Sequence, residues 1–120
     1  MMKNKQSVQP PFDLDYLVSE LGCKETVIRI LIRYSDHTKK QVGKLKQAIA
    51  DKNTAEIHRI AHSIKGGAMN IRAKSLSDKA LVLERAARNE NLQSAESQLE
   101  DILNEFNNVS YYISKITREN

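Results

Sequence analysis

The sequence predicts an all-α fold, an antiparallel four-helix bundle with a short additional helix at its N-terminal end. Apolar residues recur at spacings of three and four along most of the 120 residues, which is the period of an amphipathic helix. The four glycines and two prolines leave few points at which such helices must break. A chain of this length fits one domain. We therefore expect a flexible tail over residues 1–12 and one helical bundle domain over residues 13–120.

The first two predicted helices follow from a cap, a stop and two apolar stripes. Asp13 is a good N-cap for a short helix that ends at Gly22. The stripe of this helix is Leu14, Leu17, Val18 and Leu21. A long second helix covers about residues 24–51, and its apolar positions are Val27, Leu31, Tyr34, Val42, Leu45 and Ile49.

The third and fourth predicted helices each begin at a capping signal. Asn53 followed by Glu56 is a variant of the capping box. The stripe after it is Ile57, Ile60, Ala61, Ile64 and Ala68. Ser75 followed by Asp78 is a second signal of this kind, and it opens a helix that ends near Asn89. The inner residues of that helix are Leu76, Ala80, Leu83 and Ala87.

The fifth predicted helix has the most regular pattern. Its apolar residues alternate at spacings of three and four: Leu92, Ala95, Leu99, Ile102, Phe106, Val109, Ile113 and Ile116. This regularity indicates one helix packed lengthwise against others. The connections near Lys52, Lys74 and Glu90 are short, so consecutive long helices become antiparallel neighbours. Because such a bundle hides each apolar stripe, we expect a monomer.

The composition excludes several classes of protein. The aliphatic runs, such as residues 30–32, are no longer than three or four residues, which is too short for a membrane span or a signal peptide. We therefore expect a cytoplasmic protein without membrane association. The chain has one cysteine, Cys23, which cannot form an internal disulfide and is expected to be a free thiol.

The third helix has a second patterned face beside its apolar stripe. His58, His62, Lys65, Gly66 and Met69 fall about 80° to 180° from Ile57 on a helical wheel. Gly66 and Gly67 inside a helix cost on the order of 1 kcal/mol each relative to alanine, which invites a functional or packing reason. A glycine one turn from His62 leaves its ring open to a large partner.

These residue types suit phosphoryl transfer. A neutral imidazole has a free lone pair for attack on phosphorus, and Lys65 supplies positive charge where phosphoryl oxygens would gather. The sequence contains no Gly-rich phosphate loop and no paired acidic metal site. The phosphoryl group is therefore expected from another protein and not from ATP bound by this chain, so we expect neither ATP binding nor autokinase activity.

The string AHSIKGGAMNI at residues 61–71, followed by Leu83-Glu84 and by Ala-Ala-Arg at 86–88, resembles the histidine-containing phosphotransfer (HPt) domains of two-component phosphorelays. The resemblance implies that His62 is phosphorylated by a receiver-domain aspartate and passes the phosphoryl group to another receiver, that Lys65 assists, and that Gly66 leaves room for the receiver. It implies a bundle of four antiparallel helices and places Mg²⁺ on the receiver, with no cofactor of the chain's own. The partners would be response-regulator receiver domains, a hybrid sensor kinase, or both.

Several residues around His62 are expected to contact the partner: His58, Arg59, Ser63, Gly66, Gly67 and Met69. The chain departs from the family at Met69 and Arg72, where members usually carry small residues or glycine. Arg72 removes a glycine at a helix end, and Met69 lies on the His62 face, where it bears on the choice of receiver.

Three other interpretations compete with phosphotransfer. His58 and His62 share a helical face, as zinc ligands do, but a third ligand is not evident and we expect no metal site. The second helix carries seven Lys and Arg residues against two acidic residues over 24–50, which suits nucleic acid. Few aromatic residues lie between these basic residues, so we expect no nucleic-acid binding. The basic residues are better explained as a solvated helix face, or as a charge that attracts an acidic receiver. A non-catalytic helical adaptor that binds a signalling partner is the alternative function.

Overall fold

The structure, a computed structural model, describes residues 10–118 and contains five helices and no strand in that range. The helices are α1 (Leu14–Leu21), α2 (Lys24–Ala50), α3 (Thr54–Asn70), α4 (Lys74–Arg88) and α5 (Ala95–Arg118). The predicted all-α fold is confirmed. Residues 1–9, most of the predicted tail, lie outside the described residues.

The four long helices form a closed ring around one core. α3 packs against α2 and α4, while α5 packs against α4 and returns to α2. α1 packs against α2 at one end. The predicted stripes of the long helices supply most of the core, and their fully buried members include Leu31, Leu45, Ile57, Ile60, Ile64, Leu76, Leu83 and Ile102. Leu21, predicted in the stripe of α1, is instead 44% exposed. The burial of apolar side chains is the main force that holds such a bundle together.

Two of the predicted N-caps are confirmed. The Asp13 carboxylate accepts a hydrogen bond of 2.9 Å from the backbone N–H of Tyr16, and Gly22 ends α1 in the left-handed conformation at φ 83°. The Asn53 side chain accepts a hydrogen bond of 3.1 Å from the backbone N–H of Glu56. Both bonds satisfy donors that the first turn of a helix leaves without a partner.

The three connections around α3 and α4 share one geometry. Lys52, Arg72 and Glu90 have φ values of 55°, 65° and 55°, in the left-handed region that non-glycine residues rarely enter. Each donates its N–H to the carbonyl three residues back, and the next residue donates to the carbonyl five residues earlier. This is the Schellman ending, and it reverses the chain in few residues. Arg72 adopts the backbone that its missing glycine would favour, and its guanidinium stacks on the Tyr16 ring at 4.2 Å.

The prediction that Ser75 and Asp78 open α4 is wrong. The helix begins at Lys74, and its N-cap is Ala73, which makes no side-chain cap hydrogen bond. Ala73 is fully buried, and its N–H donates to the carbonyl of Ala68. The Schellman ending of α3 therefore fixes the start of α4. The Asp78 carboxylate instead accepts a hydrogen bond from the Lys74 ammonium at 3.1 Å.

Four further structural features bear on the predictions. Phe12, predicted at the end of the tail, is 3% exposed and belongs to the core, because its ring is apolar enough to be drawn into the bundle. α5 begins at Ala95 and not at Leu92, whose carbonyl accepts the Ala95 N–H in a preceding turn. Cys23 is a free, exposed cysteine. Within residues 10–118, none of the helices combines the length and the apolar character needed to cross a bilayer.

Candidate functional site

His62 lies on the outward side of α3. The five stripe residues of this helix point into the core and are buried, which places the opposite side of α3 at the surface. The His62 side chain is 63% exposed. The exposure expected from its position on the helical wheel is therefore confirmed, and its ring is open to a large partner.

A buried carboxylate from the neighbouring helix orients this ring. Glu84 of α4 is only 3% exposed, and its Oε2 lies 2.8 Å from His62 Nδ1. Its other oxygen, Oε1, lies 2.8 Å from the Nζ of Lys65. Burial by itself raises the pKa of Glu84, but the hydrogen bonds and charges of Lys65 and His62 outweigh it and hold the pKa below its usual range. Glu84 is therefore ionised at neutral pH.

The ionised carboxylate fixes the tautomer of His62. A carboxylate can only accept hydrogen bonds, so the Nδ1 of His62 carries the proton and donates it to Glu84. In the neutral ring the Nε2 then holds the lone pair. Because the side chain is largely exposed, the ring presents a nucleophilic nitrogen to a partner.

Two more basic side chains surround the same carboxylate at longer distances. The Nε2 of His58 lies 3.7 Å from Glu84 Oε2, and a guanidinium nitrogen of Arg88 lies 3.9 Å from that oxygen. The His58 and His62 rings stack with their centroids 6.4 Å apart and their planes 10° from parallel. His58 thus flanks the His62 ring.

The two glycines of α3 face different surroundings. A Cβ at Gly66 would meet nothing within 4 Å, whereas a Cβ at Gly67 would lie 3.3 Å from the Tyr34 ring of α2. Gly66 therefore leaves open space beside His62. Gly67 allows the close approach of α2, so its side of the helix is occupied within the fold. Burial raises the pKa of Tyr34 to about 12, which keeps this phenol neutral.

The remaining predicted contact residues lie around His62 and differ in exposure and in their side-chain partners. Met69 is 59% exposed. Arg59 is exposed and pairs with Glu56 one turn earlier on α3. The Ser63 hydroxyl accepts a hydrogen bond of 2.5 Å from the Gln41 amide of α2. The site is therefore bordered by α2 on one side and by α4 on the other.

Glu84 and Arg88 belong to the pattern that carries the family resemblance, but no role at the site was predicted for either from the sequence. A signal for Glu84 was present, because its carboxylate lies next to Leu83 on the inner side of α4, where an acidic residue is buried only when it is paired. Among residues 10–118, no group of three His, Cys, Asp or Glu residues is arranged to hold a metal ion.

The comparisons with known proteins agree with this geometry. The sequence model of the Hpt domain matches residues 29–111, more than half of the chain. The chain belongs to the Hpt domain family. The resemblance drawn from residues 61–88 is thereby confirmed, and histidine phosphotransfer in a two-component phosphorelay is the role of this Hpt domain. Hpt domains are phosphotransfer carriers that interact with receiver domains and kinases.

The fold of this Hpt domain is similar to a solved structure. The crystal structure of histidine-containing phosphotransfer protein B from Pseudomonas aeruginosa PAO1 superposes with a TM-score of 0.85 over 92% of this chain and 97% of that chain. The sequences are 24% identical, so this likeness supports the fold. A comparison with curated proteins gives no significant match.

Proposed function

We propose that His62 is the phosphorylated residue of this Hpt domain and that it reacts through Nε2. It would accept a phosphoryl group from the aspartyl phosphate of one receiver domain and pass it to the aspartate of another. The observation that carries the proposal is the 2.8 Å contact between His62 Nδ1 and the buried Glu84 carboxylate. This contact occupies Nδ1 and leaves Nε2 free on an exposed side chain.

The transfer between the receiver and His62 needs no further reactant. The Nε2 lone pair of His62 forms a bond to phosphorus while the phosphorus–oxygen bond of the receiver's aspartyl phosphate breaks, and the aspartate leaves as a carboxylate. The ring gains positive charge during attack. Its Nδ1–H already donates to the ionised Glu84, so that charge is stabilised as it develops. Transfer to the second receiver reverses these steps.

Lys65 supports the reaction in two ways under this proposal. Its ammonium lies 2.8 Å from Glu84 Oε1 and is 22% exposed, so the ion pair keeps Glu84 charged. Lys65 is also one helical turn from His62 on the same face. A positive charge at that place attracts the oxygens of the phosphoryl group in transit.

We also propose that this carrier has neither ATP-binding nor autokinase activity. The sequence has no Gly-rich phosphate loop, so the energy-rich phosphoryl group comes from a partner. Receiver domains, a hybrid sensor kinase, or both are the proposed partners, and the Mg²⁺ required for transfer is assigned to the receiver. The open space at Gly66 and the exposed Met69 are the proposed contacts nearest to His62. The monomeric state and the cytoplasmic location remain predictions made from the sequence.

A phosphotransfer assay tests this function. The protein is mixed with an aspartyl-phosphorylated receiver and Mg²⁺, and acid-labile, alkali-stable phosphate on the chain is measured. We expect label on the wild type and on His37→Gln, a control at an exposed histidine of α2, and none on His62→Gln. Receivers that bind the folded protein without labelling it would contradict the proposal and favour the adaptor.

A further inference from the structure

The exposed side of α2 carries four cations that no part of the proposed chemistry uses. Arg29, Arg33, Lys40 and Lys44 are exposed and fall within about 60° of one another on a helical wheel. We call this group the α2 basic stripe. We propose that the α2 basic stripe is a second part of the receiver-docking surface, which binds an acidic surface of the receiver beside the phosphoryl site. The inference rests on the proposed function.

The stripe lies on the flank of α2 that leads to the site. Two α2 side chains mark the direction of α3, since Gln41 bonds Ser63 and the Tyr34 ring abuts Gly67. Ser63 and Gly67 are neighbours of His62 and Gly66 in the sequence. Lys44 is near enough to Glu56 of α3 to lower the pKa of that carboxyl further, after the larger effect of Arg59. A partner seated over His62 therefore meets the α2 basic stripe at its edge.

Among residues 10–118, the four cations of the stripe take no part in an ion pair, and the same is true of other exposed cations of α2 such as Lys39 and Lys46. Lys65, Arg88, Arg59 and Lys74 each lie within 4.0 Å of a carboxylate oxygen. Within residues 10–118, the stripe has no such ion pair, even though Asp36 precedes Lys40 by one turn. Like charges aligned along one helix face repel one another. An acidic partner would relieve this repulsion.

The chemistry of the proposed partner supplies that acidic surface. A receiver that transfers an aspartyl phosphate with Mg²⁺ must expose carboxylates around its reactive aspartate, because Mg²⁺ binds through oxygen ligands. Opposite charges at the edge of an interface mainly accelerate association and do so most at low salt. The stripe should therefore affect the rate of docking more than the chemistry at His62.

The chain offers a matched control on the same helix. Lys39 and Lys46 are exposed lysines of α2, and they fall on the flank facing α5, where Ser35 contacts Ser110. The double variants Lys40→Gln/Lys44→Gln and Lys39→Gln/Lys46→Gln remove the same charge from the same helix. A difference between them reports position and not net charge.

Association with the receiver is measured by stopped flow at 50 mM and 300 mM salt. For Lys40→Gln/Lys44→Gln we expect an association rate reduced about three- to tenfold at low salt and less than twofold at high salt. The control variant should change less than twofold at both. Equal effects of the two variants, or a loss that salt does not weaken, would overturn the inference.

A receiver-free reaction separates this inference from the proposed function. Phosphoramidate, a small phosphoryl donor, should label both double variants as fast as the wild type because it needs no docking surface. If it labels the wild type while the two variants bind the receiver equally, the inference alone fails. If the receiver binds through the stripe and neither donor labels His62, the proposed function alone fails. A wild type that binds no receiver contradicts both.

Discussion

The Nδ1 of His62 on α3 and the Oε2 of Glu84 on α4 lie 2.8 Å apart, although 22 residues separate them in the chain. One partner is 63% exposed and the other 3% exposed. A buried, ionised acceptor thus holds an exposed imidazole with Nδ1 as the donor, which in the neutral ring leaves the lone pair on Nε2. The fixed orientation comes from the packing of α3 on α4, so the site is built on rigid helices.

Glu84→Gln tests the value of that charge. The amide has nearly the same shape but cannot stabilise positive charge on the ring as a carboxylate does, so we expect phosphorylation of His62 by phosphoramidate to slow by about tenfold or more. Initial rates are measured by intact mass, with circular dichroism to verify the helical fold. An unchanged rate in the folded variant would remove Glu84 from the mechanism.

Lys65→Ala should leave the bundle folded and slow transfer from a receiver. The lost ammonium removes positive charge from the phosphoryl site and removes the partner of Glu84 Oε1. We expect a reduction of about tenfold in rapid-quench kinetics, with Lys79→Ala on α4 as a control substitution. Transfer as fast as that of the wild type would show that Lys65 plays no part in the reaction.

Gly66→Leu should block docking while leaving the chemistry of His62 intact. A Cβ at this position meets nothing within 4 Å, and leucine is a better helix former than glycine by about 0.8 kcal/mol, so the variant should be at least as stable as the wild type. We expect receiver affinity, measured by calorimetry, to weaken tenfold or more. Retained affinity would mean that the receiver does not approach this part of α3.

The ionised Glu84 should also give the protein an acid-sensitive stability. Its pKa in the folded protein is lowered from the usual value of 4.5, so its contribution is complete above that value and is lost as the pH falls through the lower, folded pKa. The stability difference between wild type and Glu84→Gln in urea unfolding should be largest near pH 7 and shrink below about pH 4.5. Glu100→Gln, an exposed control on α5, should show no such trend, and a difference constant from pH 7 to pH 3 would contradict this.

Local patterns made most of the fold predictable. The stripes of α2 to α5 gave the helices and their buried faces because period and burial are coupled in a bundle. His62, Lys65 and Gly66 were predicted from the sequence as one group because residues three and four apart share a helix face. The predictions that were wrong concern helix boundaries that depend on contacts with neighbouring elements. The start of α4, for example, is set by the left-handed Arg72 and the buried Ala73 and not by Ser75.

Contacts between helices were beyond the reach of the sequence. Glu84 completes the site from the next helix, and its distance to His62 depends on how α3 packs on α4. The different surroundings of Gly66 and Gly67 likewise depend on α2, because the Tyr34 ring occupies one side of α3. The helical wheel places Gly66 and not Gly67 on the His62 face, but only the structure shows that Gly67 packs against α2 while Gly66 is open.

The position of phosphorus on the chain tests the central claim most directly. The protein labelled with ¹⁵N in its histidines is phosphorylated by a receiver and examined by ¹H–¹⁵N and ³¹P NMR. We predict that phosphorus bonds to Nε2 of His62, while Nδ1 keeps its proton toward Glu84. Phosphorus on Nδ1 of His62, or on His58 or His37, would contradict the account.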